Sequence, residues 1–216
     1  MGKGKTALVI VAHPDDEILW AGGTILENGG WRWISVALCR RDDPDRSRKY
    51  FRVLARIGAR GIIGDLDDGP EQVPLANEEV EAAVTSLLPS QEWDVIFSHS
   101  PFGEYTRHRR HEEVGRAVVS LWSRGELSTR DLRLFAYEDG GRQYHPRAIE
   151  HAHIITPLDE ESLRIKRDLI ERDYGFPAES WEAQTTPGVE GFWQFKTREE
   201  YRMWLERETS IEGRVQ

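Results

Sequence analysis

An apolar run, Ala7-Leu8-Val9-Ile10-Val11, ends directly in Ala12-His13-Pro14-Asp15-Asp16-Glu17. The run has the length of a short buried strand. One imidazole and three carboxylates therefore crowd the end of a strand. Like charges held this close repel, and each carboxylate gains by taking up a proton. A bound cation removes that conflict. His and Asp are ordinary zinc ligands, and a third ligand plus a water would complete a catalytic site. A candidate third ligand lies far downstream, in His108-Arg109-Arg110-His111.

Beyond this motif the pattern alternates strand and helix. After the strand at 7–11, a helix is expected over 17–27, although Gly22-Gly23 lowers its propensity. That glycine pair is expected to let the helix approach the metal loop. Strands are expected at 33–39, 61–63, 94–97, 132–137 and 151–155. Asp43-Pro44 opens a helix that ends at Gly58, and Asn77 caps another that runs to Leu88. Further helices are expected over 111–123 and 159–173, and Thr197-Arg198-Glu199-Glu200 is a capping box for a last one. Strands alternating with helices of this length predict an α/β fold, a mostly parallel sheet covered by helices on both faces. Ligands of such sheets sit beyond the carboxyl ends of the strands. The His13 loop follows the first strand and the His108 loop the fourth, which a doubly wound order makes neighbours, so the two loops can share one metal.

Composition narrows the class. Hydrophobic residues at 38%, with eight tryptophans, supply a sizeable core, and no linker or low-complexity run divides residues 1–216, so a single domain is expected. The formal charge of −9, with scattered basic residues, argues against a nucleic-acid partner. The single cysteine, Cys39, rules out an internal disulfide framework and suits a reducing compartment. The N-terminal apolar run is too short for a signal segment or a membrane span, and a cytoplasmic location is expected. Two N-terminal patterns are set aside. Gly4-Lys5-Thr6 lacks the first glycine of a P-loop and precedes its strand. Met1-Gly2 with Thr6 fits a myristoylation pattern but reads better as a solvated basic tail.

The residues at 12–17, followed by Gly22-Gly23-Thr24, resemble the LmbE-like or PIG-L family of zinc-dependent N-acetylglucosaminyl deacetylases. Asp68-Gly69 after the third strand, and Gly103-Glu104-Tyr105 before His108-x-x-His111, extend the likeness across residues 5–137. The resemblance implies a Rossmann-like fold and assigns His13, Asp16 and His111 as ligands of Zn²⁺. It implies Asp15 as general base, His108 as the group that stabilises an oxyanion, and Asp68 near the sugar hydroxyls. The family's arginine after the second strand corresponds to Arg46 or Arg48. Family members are often trimers or hexamers, so a homo-oligomer is expected. Many members carry Asp where this chain has Arg110. Arginine is costly to bury beside a dication, so Arg110 is expected to face solvent, leaving Glu104 or Glu112 to orient His108.

The chemistry stands beside the name. Two imidazoles and a carboxylate leave an open position for water, whose pKa zinc lowers to roughly 7. Asp15 is free to take the water's proton. The expected reaction releases acetate from a small-molecule N-acetyl amino sugar. An amidase acting on a larger sugar or thiol conjugate, and a sugar-binding homologue without activity, are the alternatives. A His₂Asp set does not separate Zn²⁺ from Fe²⁺.

Other residues carry weaker signals. Glu17 reads as a supporting carboxylate at a helix start. His99 is either near the site or a satisfied core histidine. His145, His151 and His153 are not expected to be ligands, and the spacing of the last two puts them on one face of a strand. Arg40 and Arg41 either grip an anionic group or form a solvated ion-pair cluster with Asp42, Asp43 and Asp45. Trp181 and Trp193, in a Gly/Pro-rich stretch, are candidates for a lid or an oligomer contact.

Overall fold

A computed structural model describes residues 4–89 and 91–212, so Met1 and Gly2 of the myristoylation pattern lie outside the described residues. The chain opens with β1 (Thr6–Val11), α1 (Asp16–Glu27), β2 (Arg32–Ala37), α2 (Pro44–Arg56) and β3 (Arg60–Ile63). It continues through α3 (Asn77–Leu87), β4 (Val95–Ser98), α4 (Arg109–Arg124) and β5 (Leu132–Phe135). A small hairpin, β6 (Tyr137–Glu138) and β7 (Arg147–Ala148), precedes β8 (Ile154–Pro157) and α5 (Glu160–Asp168). A π-helical turn, Leu169–Tyr174, extends α5, and α6 (Trp181–Thr185), β9 (Val189–Phe195) and α7 (Arg198–Glu212) complete the chain.

One seven-stranded sheet runs in the order β3-β2-β1-β4-β5-β9-β8. The first five strands are parallel, and β9 runs antiparallel to both β5 and β8. The central strands are covered on both faces, which is why β1 and β4 read as unbroken apolar runs rather than alternating ones. On one face Ile18 and Trp20 of α1, Tyr50 and Val53 of α2, and Leu169 and Ile170 of the π-turn form one core. On the other, Val80 of α3, Val114 and Trp122 of α4, and Trp204 of α7 form a second. The expected α/β architecture, mostly parallel with helices on both faces, is the one observed.

The sheet order reverses direction at β1 and β4, which pair from Ala7↔Val95 to Ile10↔Ser98. Both loops that follow these strands carry the histidines of interest. Gly115 sets the depth of α4 here: a Cβ on it would lie 2.5 Å from the carbonyl of Ser100. Only glycine lets α4 settle this close to the loop after β4.

Several sequence expectations need correction. The glycine pair of α1 does not face the metal loop. A Cβ on Gly23 would strike the Leu158 side chain, and one on Gly22 would meet Ile18 and Lys166, so the pair admits the C-terminal segment instead. The strand expected at 151–155 begins later, at Ile154. The ring of His153 takes the place of a strand partner, its Nδ1 accepting from the Gln194 amide at 3.0 Å. The helix expected over 159–173 becomes π-helical after Asp168. Trp193 is no lid: it sits in β9, 4% exposed, within the main core. The central Gly191 and the polar Glu190 and Gln194 concealed that strand. The capping box at Thr197 forms as expected, Glu200 N donating to Thr197 Oγ1 at 3.2 Å and Glu200 Oε2 accepting from Thr197 N at 3.3 Å. Among the described residues no helix is long and apolar enough to cross a membrane.

Candidate metal centre

The turn after β1 delivers Asp15 with φ 114°, a left-handed backbone that few non-glycine residues adopt. Its carbonyl accepts the first helical amides, from Ile18 and Leu19, both at 2.9 Å. Its carboxylate caps nothing; it takes a bond from Arg46 Nη1 at 2.8 Å. Glu17, fully buried, braces the turn by accepting from the Asp15 amide at 3.0 Å and from the Tyr174 hydroxyl. Asp16 turns into the sheet end. Its Oδ1 accepts from Trp20 Nε1 at 3.0 Å and its Oδ2 from the His13 amide at 2.8 Å.

Three donor atoms then converge. His13 Nδ1 lies 3.3 Å from Asp16 Oδ2, His111 Nε2 lies 3.3 Å from the same oxygen, and the two imidazole nitrogens are 3.3 Å apart. A tetrahedral ion bound at about 2.0–2.1 Å would separate neighbouring ligand atoms by about 3.3–3.4 Å. The triangle therefore has the size and the nitrogen–oxygen composition that such an ion requires.

The outer nitrogens of both imidazoles are held. His13 Nε2 is 3.2 Å from Asp68 Oδ2, and His111 Nδ1 is 2.8 Å from Glu104 Oε2. Such carboxylates fix ring orientation and raise ligand basicity. Burial alone would lower the His13 and His111 pKa values, but the surrounding carboxylates win and raise both. Burial would likewise raise Asp16, yet the charge of His111 and the bonds from His111 and His13 hold it well below the usual carboxylate range. Asp15 goes the other way. Burial, reinforced by Asp16, pushes its carboxyl up to about 7 against the pull of Arg46.

Two further histidines stack on His111, with ring centroids at 3.9 Å for His99 and 4.1 Å for His108. Wider groupings, His13–His108–His111 and Asp16–His99–His111, thus also gather potential donor atoms. His99 Nε2 already accepts the Ala12 amide at 3.0 Å, which removes its lone pair from use. Its Nδ1 lies 2.9 Å from Glu104 Oε2. Burial disfavours the His99 cation, while Glu104 and Asp16 favour it. The Ala12 amide decides the matter in our reading: a protonated Nε2 would face a second donor, so the ring is neutral and donates from Nδ1. His108 has no such support. Its Nδ1 is buried without a partner, and burial together with His111 and His13 pushes its pKa down to about 2.

The remaining expectations divide. Of the two arginines, Arg46 reaches the site, whereas Arg48 is exposed and lines no part of it. Asp68 is present, bonded to His13, Arg40 and Gln72. Arg110 does not face solvent. It is fully buried, paired with Glu113 and donating to the Val73 carbonyl at 3.3 Å. Its carboxylate partner on the same helix makes the burial tolerable. Glu104 orients His111 and His99 rather than His108, and Glu112 binds Arg107 and Arg116. The sequence offered Glu104 as part of a motif and as a partner for His108, not for His111 and His99. Its place five residues beyond His99 and seven before His111 was the available signal.

His13, Asp15, Asp16, Arg46, Asp68, His108 and His111 line a cavity of about 230 Å³ whose walls also include Leu19, Arg40, Gln72, Tyr105, Trp181 and Glu182. Trp181 thus stands at the site, at the start of a short helix.

Comparisons with known proteins agree with this picture. The uncharacterized protein L374 of Acanthamoeba polyphaga mimivirus is 20% identical over 128 residues, 53% of this chain and 56% of that relative, so the match spans little more than half of the relative's length. The N,N'-diacetylchitobiose deacetylase of Pyrococcus horikoshii superposes with a TM-score of 0.65 at 19% identity, over 89% of this chain and 84% of its own. The zinc-inhibited form of the teicoplanin deacetylase Orf2 gives 0.61 at 13%, covering 83% and 88%. GalB, the 4-carboxy-2-hydroxymuconate hydratase of Pseudomonas putida, gives 0.60 at 14%, covering 90% and 97%. At these identities the likeness is one of fold. Residues 8–122, which include every donor of the triangle, match the family described as PIG-L, GlcNAc-PI de-N-acetylase, and the chain belongs to that family.

Proposed function

We propose that this protein is a divalent-metal hydrolase that removes the acetyl group from an N-acetylated amino sugar. The observation that carries the reading is the triangle of His13 Nδ1, Asp16 Oδ2 and His111 Nε2, with all edges 3.3 Å, set beside the strained Asp15. Family membership supplies the reaction class. These three side chains would hold the ion, and two nitrogens with one oxygen suit Zn²⁺ and Fe²⁺ alike. When bound, it supplies Lewis-acid polarisation of an amide carbonyl and a water acidified to roughly neutral pKa.

The chain's own groups do the rest. Asp15 is the base. Its carboxyl, raised to about 7, is matched to taking a proton near neutrality, and Arg46 keeps it aimed into the cavity. Its left-handed backbone turns the side chain away from the helix it would otherwise cap, a strain retained where geometry must be fixed. His108 faces the same cavity as a neutral imidazole, able to donate one N–H to the oxygen on which charge develops. Asp15, once protonated, returns its proton to the departing amine. Arg46 is the arginine of the site, and Asp68 serves it through His13.

Acetate release from a panel of N-acetylated sugars and their conjugates, with and without chelator, tests the reading. We expect release that chelation abolishes and added metal restores. Asp15→Asn should retain metal and lose activity by about 10²-fold or more. The hydratase named among the structural neighbours makes acetate, not fold, the deciding readout. No acetate from any panel member, with metal bound, overturns the proposal.

A further inference from the structure

Asp68, the carboxylate beside His13 Nε2, sits in a long connection. Between Ile63 of β3 and Asn77 of α3 the backbone forms neither helix nor strand. Leu66 and Leu75 pack against the core near its two ends. The residues between them offer little to bury. Asp67, Asp68 and Glu71 are carboxylates that repel one another, and Val73 is 57% exposed. Burial of apolar surface cannot offset the entropy of ordering such a segment, so its order must come from polar bonds.

Those bonds come from the first turns of α4. Arg109 Nη1 donates to the Gln72 carbonyl at 2.8 Å, and Arg110 Nη2 to the Val73 carbonyl at 3.3 Å. Glu113 Oε1 accepts from the Leu75 amide at 3.1 Å. Arg110 and Glu113 also pair with each other, both buried, and Arg110 Nη2 lies 3.7 Å from Asp67 Oδ2. The hold passes on to Asp68. The Gln72 amide donates to the Gly69 carbonyl at 3.0 Å, and Gln72 Nε2 donates to Asp68 Oδ1 at 2.7 Å. Asp68 Oδ2 is left to face His13 at 3.2 Å.

His111 stands on the same stretch of α4, next to Arg110. The helix that carries one nitrogen of the donor triangle thus also holds the loop whose carboxylate orients the other imidazole. A buried guanidinium–carboxylate pair is a weak source of stability, because desolvation offsets its attraction. It is a strong source of geometry, because the planar fork fixes the direction of each bond. A loop free to swing would take Asp68 off His13, and the ring would lose its orientation.

We infer that Arg110 and Glu113, with Arg109, are positioning residues that clamp the loop at 67–75 to α4 and so keep Asp68 on His13, in register with His111. The inference rests on the reading of His13, Asp16 and His111 as the metal site.

The test measures Zn²⁺ affinity by competition with a chromogenic chelator, and amide hydrogen exchange on the metal-free protein. Arg110→Met and Glu113→Leu are made together, which leaves no buried charge unpaired. This double variant should bind Zn²⁺ about tenfold more weakly, and its amides at 67–75 should exchange about tenfold faster. Arg109→Ala alters an exposed residue, carries no risk to folding, and should weaken Zn²⁺ about threefold. Neither change should cost further affinity once Asp68→Asn is present, because all act through one carboxylate. Unchanged affinity in both variants, or losses that multiply with that of Asp68→Asn, overturns the inference. Acetate release from an N-acetylated sugar, with Zn²⁺ affinity indifferent to both variants, sinks the clamp and leaves the proposed reaction standing. Clamp-dependent Zn²⁺ binding without acetate release does the reverse.

Discussion

The Oδ2 atom of Asp68 lies 3.2 Å from Nε2 of His13, on the side of the imidazole opposite the donor triangle. Asp68 is thereby placed to act on the proposed metal centre through His13, whereas the family resemblance implies a place near the sugar hydroxyls. Burial alone would raise its carboxyl, but the bond and charge of His13, with Gln72 and Arg40, hold it well below the ordinary range. It stays ionised and keeps the His13 proton on Nε2. Asp68→Asn removes the charge while keeping the shape. Competition with a chromogenic chelator should show metal affinity reduced about 10–100-fold. A normal affinity with a raised KM would return Asp68 to the sugar.

Metal uptake should release protons. The carboxylates around His13 and His111 raise both imidazole pKa values above the ordinary histidine range. Each imidazole must lose its proton from the nitrogen that faces the ion before it can ligate. Affinity should therefore fall as pH drops through these raised values and level off above them. Calorimetric titration in buffers of different ionisation enthalpy would show net proton release near neutrality; an uptake of protons, or none exchanged, contradicts the assignment of these two ligands.

His108 differs from the other imidazoles of the stack. Burial and its histidine neighbours keep it neutral, with a pKa down to about 2. As the proposed N–H donor, it should contribute no limb to the pH–rate profile between about pH 5 and 9. His108→Gln still offers an N–H and should retain far more activity than His108→Ala, for which a loss of about 10²–10³-fold in kcat is expected. Equal losses in the two variants, or a limb that disappears in His108→Gln, would show that a proton on His108 is transferred.

The strand-end motif at 12–17 and the pair His108 and His111 were legible in the sequence because local chemistry marks them: carboxylates do not crowd a strand end without a counter-charge. The fold followed from the same strands, since both loops had to meet at the carboxyl edge. What escaped was contact between distant segments. Glu104 reads as one acidic residue in a loop until α4 places it between His99 and His111. Arg110 reads as a solvent-facing charge, because its partner Glu113 lies one helical turn ahead and nothing local shows that this face of α4 is covered. β9 escaped because Gly191 breaks the apolar run at the point where a Cβ would lie 2.7 Å from the Ala136 carbonyl, so the close pairing that makes the strand also disguises it.

Glu17 makes stability depend on pH. It is fully buried behind Asp15, and desolvation pushes its carboxyl up to about 8, against the opposing bonds from Tyr174 and the Asp15 amide. In the unfolded chain the same carboxyl titrates near 4.5. The folded state thus binds more protons than the unfolded one between these values, and stability must fall as pH rises through that window. Below about 4.5 both states carry the proton and Glu17 costs nothing; above about 8 both have lost it and the cost is complete. Glu17→Gln imitates the neutral acid, with Oε1 accepting from the Asp15 amide and Nε2 donating to the Tyr174 oxygen. Urea unfolding of the metal-free protein should find the variant no more stable than the native sequence near pH 5, and more stable near pH 8, the gap widening steadily between. A gap that stays constant with pH would mean that Glu17 is ionised throughout, held by Tyr174 and the turn, and that its burial is compensated within the fold.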